Sequence, residues 1–317
     1  MNQRILNRSA IILMTLISLA AAPPMPDRAR LPSLSLNQLR RPVSGISSGI
    51  NVRRNVRWAR VGRERLYLDA FRPRSEGVYP IIVNIHGGGW SFGSKEMDEG
   101  LCRYLAKRGY LVFNINYRLA PVHPFPAQVN DALGAVIWAK DHGRKYWGDP
   151  NLVAVMGDSA GANLSAMVAF AYDYVAFEPT YNSPGLEASV KAAVLIYGVY
   201  DLTRFDSRED AGIEYVMSYL GGPQTLFPER YLKASPIRYL SPDKDPSILI
   251  LAGAKDEYLP DSLEFKRRLD QTGIKSQLYT VENAEHGFIS LSLTRPAQEA
   301  FSVIADFLDR EVKGKRG

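Results

Sequence analysis

The chain has 317 residues, of which 46% are hydrophobic and 23% charged, and its net charge at pH 7 is +6. Those proportions fit a soluble globular body and exclude both a disordered polymer and a membrane bundle. A single cysteine, Cys102, excludes an intramolecular disulfide.

The charge is unevenly placed. Residues 1–74 hold fourteen Arg, no Lys and three acids, a net +11, which leaves −5 for the remainder. A basic leader on a mildly acidic body predicts contact with an anionic surface such as a membrane face. Nucleic acid is not expected as a partner, because no regular aromatic pattern interleaves the basic stretch.

At the N-terminus, Arg4 and Arg8 precede the apolar run AIILMTLISLAAA, which ends in small residues. A charged start, a short apolar core and a small-residue exit form the pattern of a secretory signal. The run falls short of the roughly 20 residues that span a bilayer. Residues 1–22 are therefore expected to be a signal peptide or an uncleaved anchor, and the protein is expected to be exported to a periplasmic or extracellular location. Residues 23–60, rich in Pro, Ser and Arg with no sustained period, read as a linker running into an N-terminal cap.

From Arg65 onward the pattern is regular, and residues 61–317 are read as one α/β domain. Apolar, β-branched runs recur at RLYLDAF, YPIIVNI, YLVFNINY, LVAVM, AAVLIY, SILILAG and SQLYTV, alternating with segments of helical period. This predicts βαβ units around a mostly parallel sheet with helices on both faces. Val129, Leu133, Val136 and Ile137 form one core stripe, and Phe301, Ile304, Phe307 and Leu308 another. Cys102, in LCRYLAKRG, is expected to be a small core hydrophobe. Residues 174–190 and about 203–240 are long and turn-rich, as lids and binding loops are, and the second is expected to be a small cap insertion.

Three features carry chemistry. Gly157-Asp158-Ser159-Ala160-Gly161 follows the strand LVAVM and opens the apolar segment ANLSAMVAFAY. In a strand–G-x-S-x-G–helix turn, small flanking residues let the serine hydroxyl stand proud of the sheet. Ser159 is thus the candidate nucleophile. It needs a base suited to neutral pH, and elbows of this kind order their triad as Ser, acid, His. Of the four histidines, only His286 follows Ser159. The acid must end a strand between them. Asp256, closing SILILAGAKD, is preferred over Asp201; Glu257 and Asp261 lie too far into the next loop and helix.

The third feature is NIHGGGW, residues 84–90, at the end of an early strand. Three adjacent glycines lose much entropy on ordering and pack no side chain. Their use is to bring backbone N–H donors against a developing oxyanion, the second source being Ala160, which follows the nucleophile. Composition gives an HGGG match only about 0.002 times per chain, so the motif outweighs the shorter elbow in specificity. The four histidines are scattered and the cysteine is alone, so neither a metal nor an organic cofactor is expected.

With HGGGW, Tyr117-Arg118-Leu119-Ala120-Pro121, the following Phe125-Pro126-Ala127 with Asp131, and GDSAG, the chain resembles the hormone-sensitive-lipase-like branch of the α/β hydrolases. Bacterial carboxylesterases, feruloyl- and acetyl-xylan-esterase-like proteins and kynurenine formamidases are similar in these motifs. The resemblance runs from about residue 65 to the C-terminus. It implies an α/β-hydrolase fold with an eight-stranded sheet, Ser159, Asp256 and His286 as triad, and Gly88, Gly89 and Ala160 as oxyanion donors. It also implies that His86 supports the glycine loop without acting as base, and that Trp90 contacts substrate. The implied activity is hydrolysis of a small carboxylic ester through an acyl-enzyme, with an amide as the alternative substrate.

Overall fold

The structure is a computed structural model that describes residues 49–207 and 212–314. The leader, residues 1–22, and residues 23–48 of the linker lie outside the described residues.

Eight strands form one sheet: β1 (Ile50–Val61), β2 (Glu64–Pro73), β3 (Tyr79–Ile85), β4 (Leu111–Ile115), β5 (Gly148–Asp158), β6 (Ala192–Ile196), β7 (Ser247–Gly253) and β8 (Ser276–Val281). Their order is β1-β2-β4-β3-β5-β6-β7-β8. β1 and β2 are antiparallel, β2 is antiparallel to β4, and all other neighbours are parallel. Residues 50–60 correct the linker reading, because they are the edge strand β1. Its Arg-laden sequence hides the alternation of Ile50, Val52, Val56 and Trp58, and the register shifts between Arg53 and Val56, where Asn55 takes φ +52°. The extra residue of such a bulge breaks the two-residue period that marks a strand.

Both faces of the sheet are covered, as the continuous apolar runs require. Ile81, Val83 and Ile85 of β3 join the layer made with α2 (Ala127–His142), α3 (Ala160–Ala171) and α6 (Leu259–Thr272). Ile82 of β3, Val112 of β4 and Met156 of β5 join the opposite layer, with α1 (Glu99–Lys107) and α7 (Arg295–Glu311). Cys102 is fully buried in that second layer. Between β6 and β7 the chain inserts two short helices, α4 (Ile213–Leu220) and α5 (Pro228–Lys233), within the span read as a cap. Residues 174–190 form no regular element, and Phe177 packs edge-on to Phe125 and Tyr174.

Parallel strands bring their C-terminal ends to one edge of the sheet, where α/β proteins place their sites. The β1–β2 hairpin reaches the same edge from the other direction. Leu68 of β2 pairs with Ile115 at the end of β4, and Asn116 N–H donates to the Tyr67 carbonyl at 2.9 Å. Residues 61–66 therefore stand beyond the end of β4.

The segment after β4 is tied to α2 by a forked ion pair. Arg118 donates to the Asp131 carboxylate from Nε at 2.9 Å, from Nη2 at 2.7 Å and from its backbone N–H at 2.8 Å. The Asp131 side chain is 0% exposed and that of Arg118 13%. Removing one partner of a buried pair strands the other charge, at about 3–5 kcal/mol. Asp131→Ala is expected to lower the unfolding free energy by about that amount in urea denaturation, with an unchanged m-value.

Candidate active site

The nucleophile's geometry begins with glycine. A Cβ on Gly157 would meet the Ile85 and Gly161 carbonyl oxygens at 2.5 Å, and one on Gly161 would collide with the Ile85 and His86 carbonyls. Only residues without a side chain let the end of β3, the end of β5 and the first turn of α3 touch through backbone. Between them Ser159 takes φ +50°, ψ −117°. That conformation costs a non-glycine residue roughly 1–3 kcal/mol and persists only where its surroundings fix it. Here the Ser159 N–H donates to the Ile196 carbonyl at 2.8 Å, while its own carbonyl accepts from Ala162 and Asn163.

The strand ends bring the three predicted residues together. Ser159 Oγ–H donates to His286 Nε2 at 2.9 Å, and His286 Nδ1–H donates to the Asp256 carboxylate at 3.1 and 3.2 Å. The Asp256 side chain is fully buried and also accepts from the Tyr258 N–H at 2.8 Å. The Tyr258 and Tyr197 rings flank the imidazole, with centroids at 5.0 and 4.8 Å. A buried carboxylate on Nδ1 fixes the tautomer that leaves Nε2 free to take the serine proton and stabilises the imidazolium that results. Asp201, the alternative acid, accepts instead from Thr203 Oγ1 at 2.5 Å and from the Thr203 N–H.

The glycine loop is held from below by side chains. Gly87 N–H donates to Asp158 Oδ1 at 2.7 Å, and the Gly87 carbonyl accepts from His86 Nδ1–H at 2.7 Å. His86 is buried and stacks on Tyr117 at 4.4 Å, whose hydroxyl donates to the His86 carbonyl. Burial pushes the His86 pKa down to about 4, so the ring is neutral near pH 7 and holds the loop as a hydrogen-bond donor, not as a base. The Gly88 carbonyl accepts from the Ser91 and Phe92 N–H groups, both at 3.0 Å. Among the described residues, the N–H groups of Gly88 and Gly89 have no acceptor within the chain. The Ala160 N–H belongs to the first turn of α3, where no helical carbonyl can reach it.

From above, α4 packs on the loop residue by residue. A Cβ on Gly89 would lie 2.7 Å from the Tyr215 ring. Ser91 Oγ donates to Ser218 Oγ at 3.1 Å, and Trp90 stacks on Tyr219 at 4.5 Å with planes 5° apart. Tyr215, Ser218 and Tyr219 share one helix face by their i, i+3, i+4 spacing. Trp90, expected to contact substrate, is 3% exposed and is stacked on Tyr219 within the core. Its partner lies far along the chain, so its sequence neighbourhood carried no sign of the contact.

Two acids beneath the loop were missed. Asp158 is the variable position of the elbow motif, and besides Gly87 it accepts from Tyr197 Oη at 3.3 Å. Asp98 accepts from Asn84 Nδ2 at 3.0 Å, and Asn84 also donates to Asn114 Oδ1 at 2.8 Å. Both acids are buried beside each other, and no cation pairs with either among the described residues. Burial raises the Asp98 pKa well above the ordinary carboxylate range, and the neighbouring Asp158 charge adds to it. Burial raises Asp158 as well, with the Gly87 N–H working against that rise. Neighbouring buried carboxyls without a counter-ion cannot both ionise cheaply, and Asp98 is the one pushed further towards its neutral form. The placing of an acid directly before the nucleophile was the available signal for Asp158; Asp98 offered none.

A strand–elbow–helix serine, a buried Asp–His relay and an N–H-bearing glycine loop on this sheet define an α/β hydrolase of the hormone-sensitive-lipase-like branch. The chain belongs to the BD-FAE family, whose model matches residues 68–269. It is 32% identical over 236 residues to the "Probable carboxylic ester hydrolase LipM" of Mycobacterium tuberculosis, covering 72% of this chain and 53% of that one. It is 29% identical over 234 residues to esterase LipQ of the same organism, covering 72% and 55%. The chain thus spans about half the length of these curated relatives. An esterase of Pyrobaculum calidifontis superposes with a TM-score of 0.69 at 28% identity, covering 81% of this chain and 84% of that one. A truncated carbohydrate esterase from gut microbiota superposes at 0.71 and 24% identity over 83% and 96%, a likeness of fold.

Two expectations follow from this packing. Gly89→Ala drives a methyl into the Tyr215 ring and displaces the loop, so kcat on p-nitrophenyl acetate should fall by about 10²–10³, the scale for one lost oxyanion donor. Adding Tyr215→Ala should recover part of it, whereas Tyr215→Ala alone should not stimulate the wild type. The second concerns pH. His86 has a folded pKa of about 4 against about 6.5 unfolded, so the unfolded chain binds the extra proton between those values. Stability contributed by the neutral ring is complete above pH 6.5 and lost as pH falls towards 4, at up to about 1.4 kcal/mol per pH unit. Urea denaturation of wild type and His86→Gln across that window should converge as the pH falls.

Proposed function

We propose that the protein hydrolyses carboxylic esters of small acyl or aryl groups through an acyl-enzyme on Ser159. The observation that carries this reading is the continuous Ser159–His286–Asp256 relay beside a glycine loop whose Gly88 and Gly89 N–H groups have no acceptor among the described residues. His286 takes the serine proton as Oγ attacks the ester carbonyl, and Asp256 stabilises the imidazolium. The N–H groups of Gly88, Gly89 and Ala160 receive the oxyanion, and His286 then protonates the departing alkoxide. Water, activated by the same imidazole, attacks the acyl-enzyme and releases the acid. The carboxylic ester hydrolase and esterase names of its relatives support the ester over the amide.

We also propose export, on the charged start and short apolar run of residues 1–22.

Hydrolysis of p-nitrophenyl acetate, butyrate and decanoate, beside the matching anilides, tests the activity. Turnover should decline with acyl length and be far slower on anilides. Ser159→Ala should bring it to background, and Asp256→Asn should lower kcat by about 10⁴. Turnover of anilides at the ester rate, or full activity in Ser159→Ala, would reject the reading.

A further inference from the structure

The exposed side chains are not spread evenly over the molecule. Ten large apolar side chains are exposed among the described residues, and five of them sit in loops leaving the C-terminal edge of the sheet. Phe92 and Met97 follow β3, Val122 follows β4, and Leu291 and Leu293 follow β8. Leu293 is 92% exposed and Val122 78%. These three loops touch one another: the Ala120 N–H, after β4, donates to the Trp90 carbonyl at 2.9 Å, and a Cβ on Gly100, after β3, would lie 2.6 Å from Ser292 Cβ, after β8. Exposed apolar groups gathered on one face mark an interaction site, whereas the same residues scattered singly would mean nothing.

The β1–β2 hairpin, which reaches the same edge, is strongly basic. Arg57, Arg60, Arg63 and Arg65 are exposed, and no carboxylate pairs with any of them among the described residues. Glu64, the acid at the tip, lies 3.8 Å from His123. Arg60 and Arg65 are direct cross-strand partners. Like charges placed opposite each other destabilise a hairpin unless an anion is shared between them. The hairpin tip meets the loop after β4, where Glu64 lies 3.8 Å from His123, the neighbour of exposed Val122, so these arginines and the exposed apolar tips share the C-terminal edge of the sheet. Apolar tips flanked by arginines are the chemistry of a surface that is oily within and anionic at its headgroups.

We propose that the C-terminal edge of the sheet is a docking face for an anionic phospholipid bilayer. The hairpin arginines 57, 60, 63 and 65 engage headgroup phosphates, and Val122, Leu291 and Leu293 enter the interface. Docked this way, the mouth of the site meets the lipid surface. Taken with the ester reading, on which this step alone rests, the substrates are esters that partition into a membrane and not only freely dissolved ones.

Sedimentation of the full chain with vesicles of phosphatidylcholine, with and without phosphatidylglycerol, tests the face. Residues 1–48 are common to all samples, so only differences between variants count. An arginine near an anionic surface contributes about fivefold to partitioning, so Arg60→Glu/Arg63→Glu should weaken binding to the anionic vesicles by about 25-fold or more. Added salt should weaken wild-type binding in the same direction. Leu291→Ser/Leu293→Ser should weaken binding to both vesicle types. Hydrolysis of soluble p-nitrophenyl acetate should be unchanged in either variant, which confirms that each is folded. Weakened binding in both variants supports the proposal. Wild type that binds neither vesicle overturns it, as do variants that bind as wild type does. Loss in the arginine variant alone also overturns it, and would make the hairpin a general polyanion site. Vesicle binding without ester turnover would remove the catalytic reading and leave the docking face standing.

Discussion

Everything at the catalytic edge depends on one backbone-to-backbone contact, that of Gly157 and Gly161 with the carbonyls of Ile85 and His86. A side chain at either glycine would push α3 off the end of β3. The contact does two things at once. It holds Ser159 at φ +50°, a conformation that no local preference of serine would supply. It also sets the glycine loop, which begins at His86, against the turn that carries the nucleophile. Hydroxyl and N–H donors therefore derive their spacing from two adjacent strand ends, the most rigid part of a packed α/β domain.

Electrostatics then fixes the loop without side chains of its own. Three glycines cannot hold a conformation by packing, and the neighbouring polar groups do it instead. Asp158 binds the Gly87 N–H, and neutral His86 binds the Gly87 carbonyl. The low dielectric that depresses His86 and raises Asp98 also strengthens each of these hydrogen bonds. Farther out, Asp69 accepts from buried Lys95 at 3.1 Å, and Asn114 donates to the Lys95 carbonyl. A polar chain thus runs from β2 to the nucleophile's own turn through groups that are almost all paired.

Much of this was legible in the sequence, and the reasons are specific. The triad could be read because chemistry demands one residue of each kind in a fixed chain order, and only one histidine followed Ser159. The glycine loop could be read because no packing role explains three glycines at the end of a strand. β1 was hidden, since a bulge at Asn55 breaks its period and arginines occupy its outward positions. The packing of Trp90 was not legible, since the ring stacked on it, Tyr219, is contributed by a separate insertion. Asp98 was unreadable, since its role arises only from proximity to Asp158 across two elements.

That insertion changes what the glycine loop is. On the sheet side it is fixed by β3, Asp158 and His86, groups of the core. On the other side it is fixed by Tyr215, Ser218 and Tyr219 of α4, and each of these meets a different loop residue. Tyr215 covers Gly89, and its ring also lies 5.4 Å from that of exposed Phe92, so α4 closes over the outer side of the loop. A change to this face of α4 therefore shifts the glycine loop as well, so the insertion and the loop cannot be altered independently.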